Sequence, residues 1–438
     1  MLEKYFKLTE NKTTVGTEIM AGVATFLTAV YVLAVNPIVL ENAGMPRGAL
    51  FTATVLSTIV GTLLIALFAN MPFVLAPGMG ANAYFAFSVV KGYGYSWQEA
   101  LTAVLLSGIV FLFLGVIGVR KMLLDGFPDP LKHAMTVSLG LMIAGIGLKN
   151  AGVIEFQPGL IKLGDVTQGS PLLALLGVFI TGAFLGYGMK TAILLGIVLT
   201  TIIGMFTGVT QYQGLSASDI VTLPPSIAPI AMQFSLAGID GARVLDFAVV
   251  VFALLIIDVF DSLGTFVGVF NHFSDEDKVL YEARVPRALM CDAGATVAGA
   301  FLGVSTVTTY VESSTGIQAG GRTGLTAVVI AALMFLALFM SNLFLLVPPA
   351  ATAPALVVVG MYMMNMAGKV RWLEVSEGLP AVMMIMTTAM TWSISDGLMF
   401  GWLGYLLFKL IRGRFAELNL TVIIVGLFFM IRLALMAS

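Results

Sequence analysis

Charge, cysteine and histidine are scarce in this sequence of 438 residues. Only 11% of the residues are charged, whereas a soluble domain carries about 25%. The single cysteine, Cys291, excludes an intrachain disulfide framework and a zinc site built from several cysteines. Two histidines are a poor set of metal ligands. The composition therefore predicts no metal and no cofactor, and the net charge of −2 gives no sign of a nucleic-acid partner.

Motifs of hydrolases and of ATP-driven pumps are also missing. The patterns GxSxG, HExxH and GxxxxGK[ST] do not occur, so neither a membrane hydrolase nor a nucleotide-driven pump has support. The polar groups in the apolar segments are a discrete few and do not repeat as the rings of a channel do. The sequence thus predicts a protein that is not an enzyme.

Long hydrophobic runs dominate what is present, because 59% of the residues are hydrophobic and the mean hydropathy is +1.00. Runs such as Ile19–Leu40 and Leu325–Val347 match the length needed to cross a bilayer. We predict an all-α polytopic membrane protein with about fourteen segments. Their expected starts are Ile19, Leu50, Pro72, Gln98, Leu131, Pro171, Lys190, Leu245, Pro286, Ser305, Leu325, Ala351, Leu379 and Gly397.

The distribution of Lys and Arg predicts the orientation and the domains. With a cytoplasmic N-terminus, most of these residues fall on the cytoplasmic side, as the positive-inside rule requires. We expect an N-terminus at 1–18, a first repeat at 19–208, an external loop at 209–243, a second repeat at 244–414 and an apolar tail at 415–438. The tail contains Arg432 and either spans the membrane or lies at its interface.

Two segments do not resemble ordinary spanning helices. They are PFVLAPGMGANAYFAF, Pro72–Phe87, and STVTTYVESSTGIQAGG, Ser305–Gly321. Each passes from a short extended run through glycine and small polar residues into a helix-compatible stretch. An ungapped alignment places Gly78 on Glu312, about half a chain apart. Such a pair predicts an inverted-repeat transporter with a site at the membrane midplane, although glycine and proline are also common in ordinary membrane helices.

Three acids inside the membrane segments are candidate site residues. Asp258 and Asp261, in LLIIDVFDSLGT, lie on one helix face by their spacing. Glu312 is expected at the N-terminus of a half-helix, where polar ligands are readily bound, and Ser313 and Ser314 add hydroxyl groups. Intramembrane acids usually serve a function, but a structural hydrogen bond for either aspartate, or helix capping by Glu312, would also explain them.

The mirrored segment contributes Asn82, Tyr84 and Phe85. An aromatic ring beside a broken helix could stack on a flat ligand, although an aromatic residue in a membrane helix more often serves packing. Gly78 and Gly80 would allow the backbone to approach a ligand closely.

Several stretches together resemble the AzgA-like purine permeases of the nucleobase–cation symporter-2 superfamily. They are EIMAGVATFLTAVYVLAVNP, APGMGANAYFAF, LKNAGV, DVFDSLGT, STVTTYVESSTG and AGGRTGLTAVV. The resemblance implies seven plus seven inverted segments in a core and a gate domain, with short strands and half-helices in the third and tenth. It also implies proton symport of purines across the cell membrane, and a possible homodimer. The acids of the eighth and tenth segments in related carriers fall on Asp261 and Glu312.

A nucleobase edge presents N–H donors that a carboxylate accepts strongly. Guanine and hypoxanthine offer an N1–H donor and adenine does not, so the acids slightly favour the oxopurines. Acids crowded in a low-dielectric cavity cannot all stay ionised, which makes Asp261, Glu312 and Asp258 candidates for proton coupling. The alternatives are a uracil, xanthine or anion transporter of the same fold, and a membrane receptor that does not transport.

Overall fold

The computed structural model describes residues 2–116, 127–157, 160–210, 221–241, 243–270, 281 and 283–437. Most of these residues are helical. Part of the predicted external loop, 211–220, lies outside the described residues.

The first half of the described chain contains nine helices and three short strands. They are α1 (Leu2–Phe6), α2 (Val15–Ala29), α3 (Val32–Glu41), α4 (Arg47–Leu64), β1 (Leu75–Pro77), α5 (Met79–Ala83), α6 (Trp97–Val116), α7 (Asp129–Asn150), β2 (Ile154–Gln157), β3 (Leu160–Leu163), α8 (Gly169–Gly186) and α9 (Ala192–Phe206). Wider π-helical turns extend α4 over Ile65–Ala69 and α5 over Tyr84–Gly92.

The second half of the described chain has one strand. Its elements are α10 (Arg243–Phe270), α11 (Val285–Leu302), β4 (Val307–Thr309), α12 (Ser313–Gln318), α13 (Gly324–Ala337), α14 (Ser341–Leu345), α15 (Pro349–Met364), α16 (Val375–Thr391), α17 (Ile394–Ile411) and α18 (Leu420–Ala437). Short 3₁₀ turns occupy Leu338–Met340, Asn365–Lys369 and Phe415–Glu417.

Within the described residues, these elements form fourteen segments followed by the tail helix α18. The segments are α2–α3, α4, β1–α5, α6, α7, α8, α9, α10, α11, β4–α12, α13–α14, α15, α16 and α17. Every one begins within four residues of its predicted start. Eight helical stretches among the described residues, Val15–Glu41 counted as one, are long and apolar enough to cross a membrane. The predicted polytopic fold is confirmed.

The segments pack as two bundles. We call α2–α6 with α10–α14 the core bundle, and α7–α9 with α15–α17 the gate bundle. Contacts repeat between the halves: α4 packs on α13 as α11 packs on α6, and α7 packs on α16 as α15 packs on α8. This exchange of equivalent partners is what a seven plus seven inverted repeat produces.

Strands β1 and β4 join the two halves at the centre of the core bundle. They pair antiparallel, with Ala76 opposite Thr308. Gly78 is the N-cap residue of α5 and Glu312 is the N-cap residue of α12. The two positions aligned in the sequence therefore occupy corresponding places. We call the membrane side on which α2 begins the N-terminal face, and the other side the opposite face.

Candidate functional site

The interrupted segments keep their backbone groups paired, as a membrane interior requires. Beyond the two strands, Gly78 N–H donates to Thr306 O at 2.9 Å and Tyr310 N–H donates to Val74 O at 3.0 Å. Ser313 Oγ accepts the Val74 N–H at 3.1 Å. These bonds fix the starts of the half-helices α5 and α12 at the same depth on either side of the sheet.

Glu312 does not use its side chain to cap α12. It occupies the N-cap position, yet its carboxylate makes no capping hydrogen bond to the helix. Instead, Tyr31 Oη donates to Glu312 Oε1 at 2.8 Å. Tyr31 is buried at the junction of α2 and α3, while Glu312 is half-buried. The carboxylate is therefore held by a neighbouring segment and directed away from its own helix.

Asp261 is the second acid near the starts of the half-helices, and we call the space between Asp261 and Glu312 the gap. It projects from α10 and is half-buried, and it lies close enough to Glu312 for the two carboxyl groups to interact electrostatically. A Cβ atom built on Gly78 would lie 3.4 Å from Asp261 Oδ2. Asp261 and Glu312 thus face one gap beside the first turn of α5, at the level of the sheet.

Gly78 and Gly80 lie where a side chain has no room. A Cβ atom on Gly78 would come within 2.7 Å of Thr308 Cγ2, and one on Gly80 within 3.1 Å of Leu139 Cδ2 on α7. Carbon atoms normally pack about 3.5–4.0 Å apart. The lack of a side chain lets α5 approach both β4 and the gate bundle.

Asp258 lies behind the sheet and not in the gap. It is 1% exposed, and it accepts a hydrogen bond from Thr296 Oγ1 at 2.8 Å. A second buried acid, Asp292 on α11, accepts from Ser262 Oγ at 2.6 Å, and Ser262 Oγ lies 2.7 Å from Thr308 Oγ1 of β4. The two carboxyl groups lie close enough to interact electrostatically, so they form a buried pair behind the strand.

Hydrogen bonds within the protein engage the polar atoms of Asn82. Its Nδ2 donates to Asn36 Oδ1 and to Pro77 O, and its Oδ1 accepts from Ser305 Oγ. The side chain is fully buried. Ser314, one residue beyond the engaged Ser313, is half-buried. Asn82 and Ser313 therefore tie the half-helices to their neighbours.

Tyr84 and Phe85 differ in what they contact. Both rings are fully buried in the hydrophobic core, but Tyr84 also hydrogen-bonds Ser395 Oγ of the gate bundle through its Oη. Ser88 Oγ, one turn further, donates to Trp392 O. Of the two rings, Tyr84 is the one at the boundary between the bundles, and it lies toward the opposite face.

Several residues that shape the site had not been identified from the sequence. Asp292 met the criterion that selected Asp258, since it is an acid within an apolar run. Tyr31 and Asn36 lie in the stretch AVYVLAVNP but carry no charge to mark them. Among the described residues, no group of three or more His, Cys, Asp or Glu side chains could hold a metal ion. The chemistry available in the gap is that of carboxylates and hydroxyls.

Comparison with known proteins gives matches over nearly the whole chain. A family model described as "Permease family" matches residues 16–400. The adenine permease AdeP of Escherichia coli (strain K12) is 40% identical over 434 residues, covering 99% of this chain and 96% of that protein. The guanine/hypoxanthine permease PbuO of Bacillus subtilis (strain 168) is 37% identical over 438 residues, covering 98% and 99%.

Solved structures show the same fold at low sequence identity. The transmembrane domain of the cyanobacterial bicarbonate transporter BicA superposes with a TM-score of 0.61 at 15% identity, covering 88% of this chain and 97% of that chain. Murine solute carrier 26 family member A9, an anion transporter in the inward-facing state, gives 0.62 at 11% identity, covering 91% and 68%. These structures share the seven plus seven inverted-repeat fold with the present chain.

Proposed function

Because the chain belongs to the Permease family and is a transporter and not an enzyme, we propose that it carries purine nucleobases across the cell membrane in symport with protons. The observation that carries the proposal is the pair Glu312 and Asp261 facing one gap between the two half-helices. Relatives named as adenine permeases and as guanine/hypoxanthine permeases support the substrate class.

In the proposed complex, Glu312 accepts N–H groups from the edge of the base. A carboxylate accepts two such donors side by side, and charge-assisted bonds of this kind are strong. Tyr31 holds the carboxylate in place through its 2.8 Å hydrogen bond. Gly78 and Gly80 allow α5 to pack closely on β4 and α7, and Tyr84 is the candidate ring because it lies at the boundary between the bundles. We assign Asn82 and Ser313 to holding the half-helices, because their polar atoms are already engaged.

Among purines, we propose a modest preference for guanine and hypoxanthine over adenine. Their N1–H donor suits an ionised Glu312, whereas adenine presents an acceptor at that position and needs a protonated acid. The relatives divide between adenine and guanine/hypoxanthine at nearly equal identity, so the preference rests on the chemistry of the acids.

Proton coupling would follow from the crowding of the same acids. Two carboxylates facing one low-dielectric gap cannot both be ionised without a large cost. A proton on Asp261 would relieve this repulsion while Glu312 accepts the base. Asp258 lies behind the sheet with Asp292, so we propose that its role in coupling is limited to storing a proton. Substrate and proton would then bind together and leave together.

Access would alternate through movement of the core bundle against the gate bundle. On the opposite face the bundles are joined by Tyr84 with Ser395 and by Ser88 with Trp392. Glu312 stays half-buried, and Val311 beside it is 56% exposed. We therefore propose that this conformation opens to the N-terminal face, which the Lys and Arg distribution assigns to the cytoplasm. The repeats at 19–208 and 244–414, the linker at 209–243 and a homodimer belong to the same proposal.

Uptake of labelled purines tests the proposal. The chain is expressed in cells lacking their own purine permeases, and uptake of guanine, hypoxanthine, adenine and uracil is followed with and without a protonophore. We expect purines to accumulate, uracil not to, and the protonophore to abolish accumulation. Accumulation that survives the protonophore would remove the coupling, a preference for uracil would favour the alternative substrate, and binding without accumulation would indicate a receptor.

A pair of variants tests the site itself. Glu312→Gln removes the charge that accepts the base, and we expect its apparent affinity for guanine to fall at least about tenfold. Glu41→Gln makes the same change at an exposed position and should transport normally. If Glu312→Gln retains the affinity and rate of the unmodified protein, Glu312 is not a substrate contact.

A further inference from the structure

A buried arginine in the tail helix contacts both bundles. Arg432 on α18 is only 2% exposed, and a charged side chain inside a membrane segment is costly unless it is paired. Helix α18 runs beside α17, from Leu420 on the N-terminal face to the level at which α17 begins on the opposite face. The tail therefore crosses the membrane and places a positive charge near the opposite face.

The arginine has one carboxylate partner in each bundle. Its Nη2 lies 3.0 Å from Asp396 Oδ1, in the first turn of α17 in the gate bundle. Its Nε lies 3.2 Å from Asp246 Oδ1, in the first turn of α10 in the core bundle. A guanidinium group presents donors in several directions at once, so this one side chain bridges two bodies that must separate during alternating access.

Tyr93 completes the connection. It follows the half-helix of the core bundle, and its Oη lies 2.5 Å from Ser393 Oγ and donates to Asp396 Oδ1 at 3.0 Å. Arg432 Nη2 donates to the same Tyr93 Oη at 3.4 Å. The gate carboxylate of Asp396 is thus bound both by the tail and by the core.

Other contacts attach α18 to both bundles without the arginine. Trp402 Nε1 of α17 donates to Val422 O at 2.9 Å, and Phe252 of α10 packs against Phe428 and Phe429. Attachment of the tail therefore does not require a buried charge. What the charge adds is a polar link between the two bundles that exists only while Asp246 and Asp396 are close together.

We propose that Arg432 is a positioning residue of the transport cycle, which clamps the core bundle to the gate bundle on the opposite face and releases one carboxylate when that face opens. The proposal rests on the proposed transport function. An interaction present in only one of two conformations shifts the population toward that conformation. Loss of the clamp therefore favours opening of the opposite face, even with no substrate present.

Thiol labelling measures this opening directly. Ser88, which contacts Trp392 across the boundary, is changed to cysteine in a background with Cys291→Ala, and a membrane-impermeant maleimide is applied from the opposite face. We expect Arg432→Gln and Asp396→Asn each to raise the labelling rate about tenfold or more, because each breaks the ion pair between the buried Arg432 and the half-buried Asp396. The double variant should be labelled no faster than either single variant, because both substitutions remove the same ion pair.

Arg414→Gln is the matched control. Arg414 makes ion pairs with Glu374 and Glu417 near the N-terminal face. Arg414→Gln therefore removes the same charge at the other end of the tail and should leave the labelling rate unchanged. If Arg432→Gln does not fold, Arg432→Lys, which keeps the charge but not the fork of donors, and Asp396→Asn provide the same measurement.

An unchanged labelling rate in folded Arg432→Gln would overturn the proposal. So would a rise in Arg432→Gln that neither Asp396→Asn nor Asp246→Asn reproduces, since the arginine would then only anchor the tail. The labelling needs no substrate. Failure of purine uptake would therefore count against the proposed function alone, and an unchanged labelling rate against the clamp alone.

Discussion

Replacing Glu18 should destabilise the protein more than replacing any exposed acid. Glu18 is fully buried in the first turn of α2, where its carboxylate accepts five hydrogen bonds from the loop before α13 and from the first turn of α13. The donors are Arg322 N–H at 2.8 Å, Thr323 N–H at 3.2 Å, Thr326 N–H at 3.1 Å, Thr323 Oγ1 at 2.9 Å and Thr326 Oγ1 at 2.7 Å. Glu18 therefore caps α13 and fixes the end of the interrupted segment.

Glu18→Gln keeps the shape but removes the charge and turns an NH₂ group toward these donors. A hydrogen bond to a charged group contributes about 1.5–3 kcal/mol, and a buried donor without an acceptor costs a similar amount. If two of the five donors lose their acceptor, the free energy of unfolding falls by about 3–6 kcal/mol. This loss is large for a single substitution.

Cys291 supplies the assay, because its thiol is 7% exposed on α11 and reacts only when the core opens. The detergent-purified protein is heated with a maleimide that fluoresces on reaction. We expect the apparent melting temperature of Glu18→Gln to fall by about 5 °C or more, and that of Glu41→Gln, an exposed control, to stay the same. A Glu18→Gln protein that melts within about 1 °C of the unmodified chain would refute the reasoning.

Two further substitutions test the geometry of the site. Tyr31→Phe removes the donor to Glu312 and should weaken guanine binding about tenfold at normal expression; unchanged affinity in a binding assay would contradict the positioning role of Tyr31. Gly78→Ala places a methyl group 2.7 Å from Thr308 Cγ2 and should lower uptake at least about tenfold, an overpacking cost. Adding Thr308→Ser, which removes that methyl and keeps the hydroxyl, should restore part of the uptake, and Gly182→Ala, with nothing within 4 Å, should have no effect. Uptake by Gly78→Ala at the normal rate would show that the close packing is dispensable.

The fold could be predicted because its signals are local. Membrane segments are runs of about twenty apolar residues, and each of the fourteen starts can be read from a short window. The two interrupted segments can also be recognised in the sequence from their glycine and small residues. Their alignment paired Gly78 with Glu312, and these residues occupy the N-cap positions of corresponding half-helices.

The partners of the site residues could not be predicted, because tertiary packing sets them. From the sequence, Asn82 was a candidate for ligand binding, but its polar atoms are hydrogen-bonded to Asn36 and Ser305. Ser313 binds Val74, 239 residues away in the chain. Glu312 was identified from its charge, but the hydroxyl that orients it comes from Tyr31, 281 residues earlier. No local pattern reports such distant contacts.

The pairing of β1 with β4 constrains how the protein is made. Leu75–Pro77 pairs as a strand with Val307–Thr309, which follows more than 200 residues later in synthesis. At about 5–20 residues per second, the ribosome needs on the order of 10 to 50 s to supply them. During that interval the first half sits in the bilayer with the edge of β1 that faces β4 unpaired, which is costly in lipid. We therefore expect the insertion machinery or bound water to shelter this edge, and neither half should mature when synthesised alone.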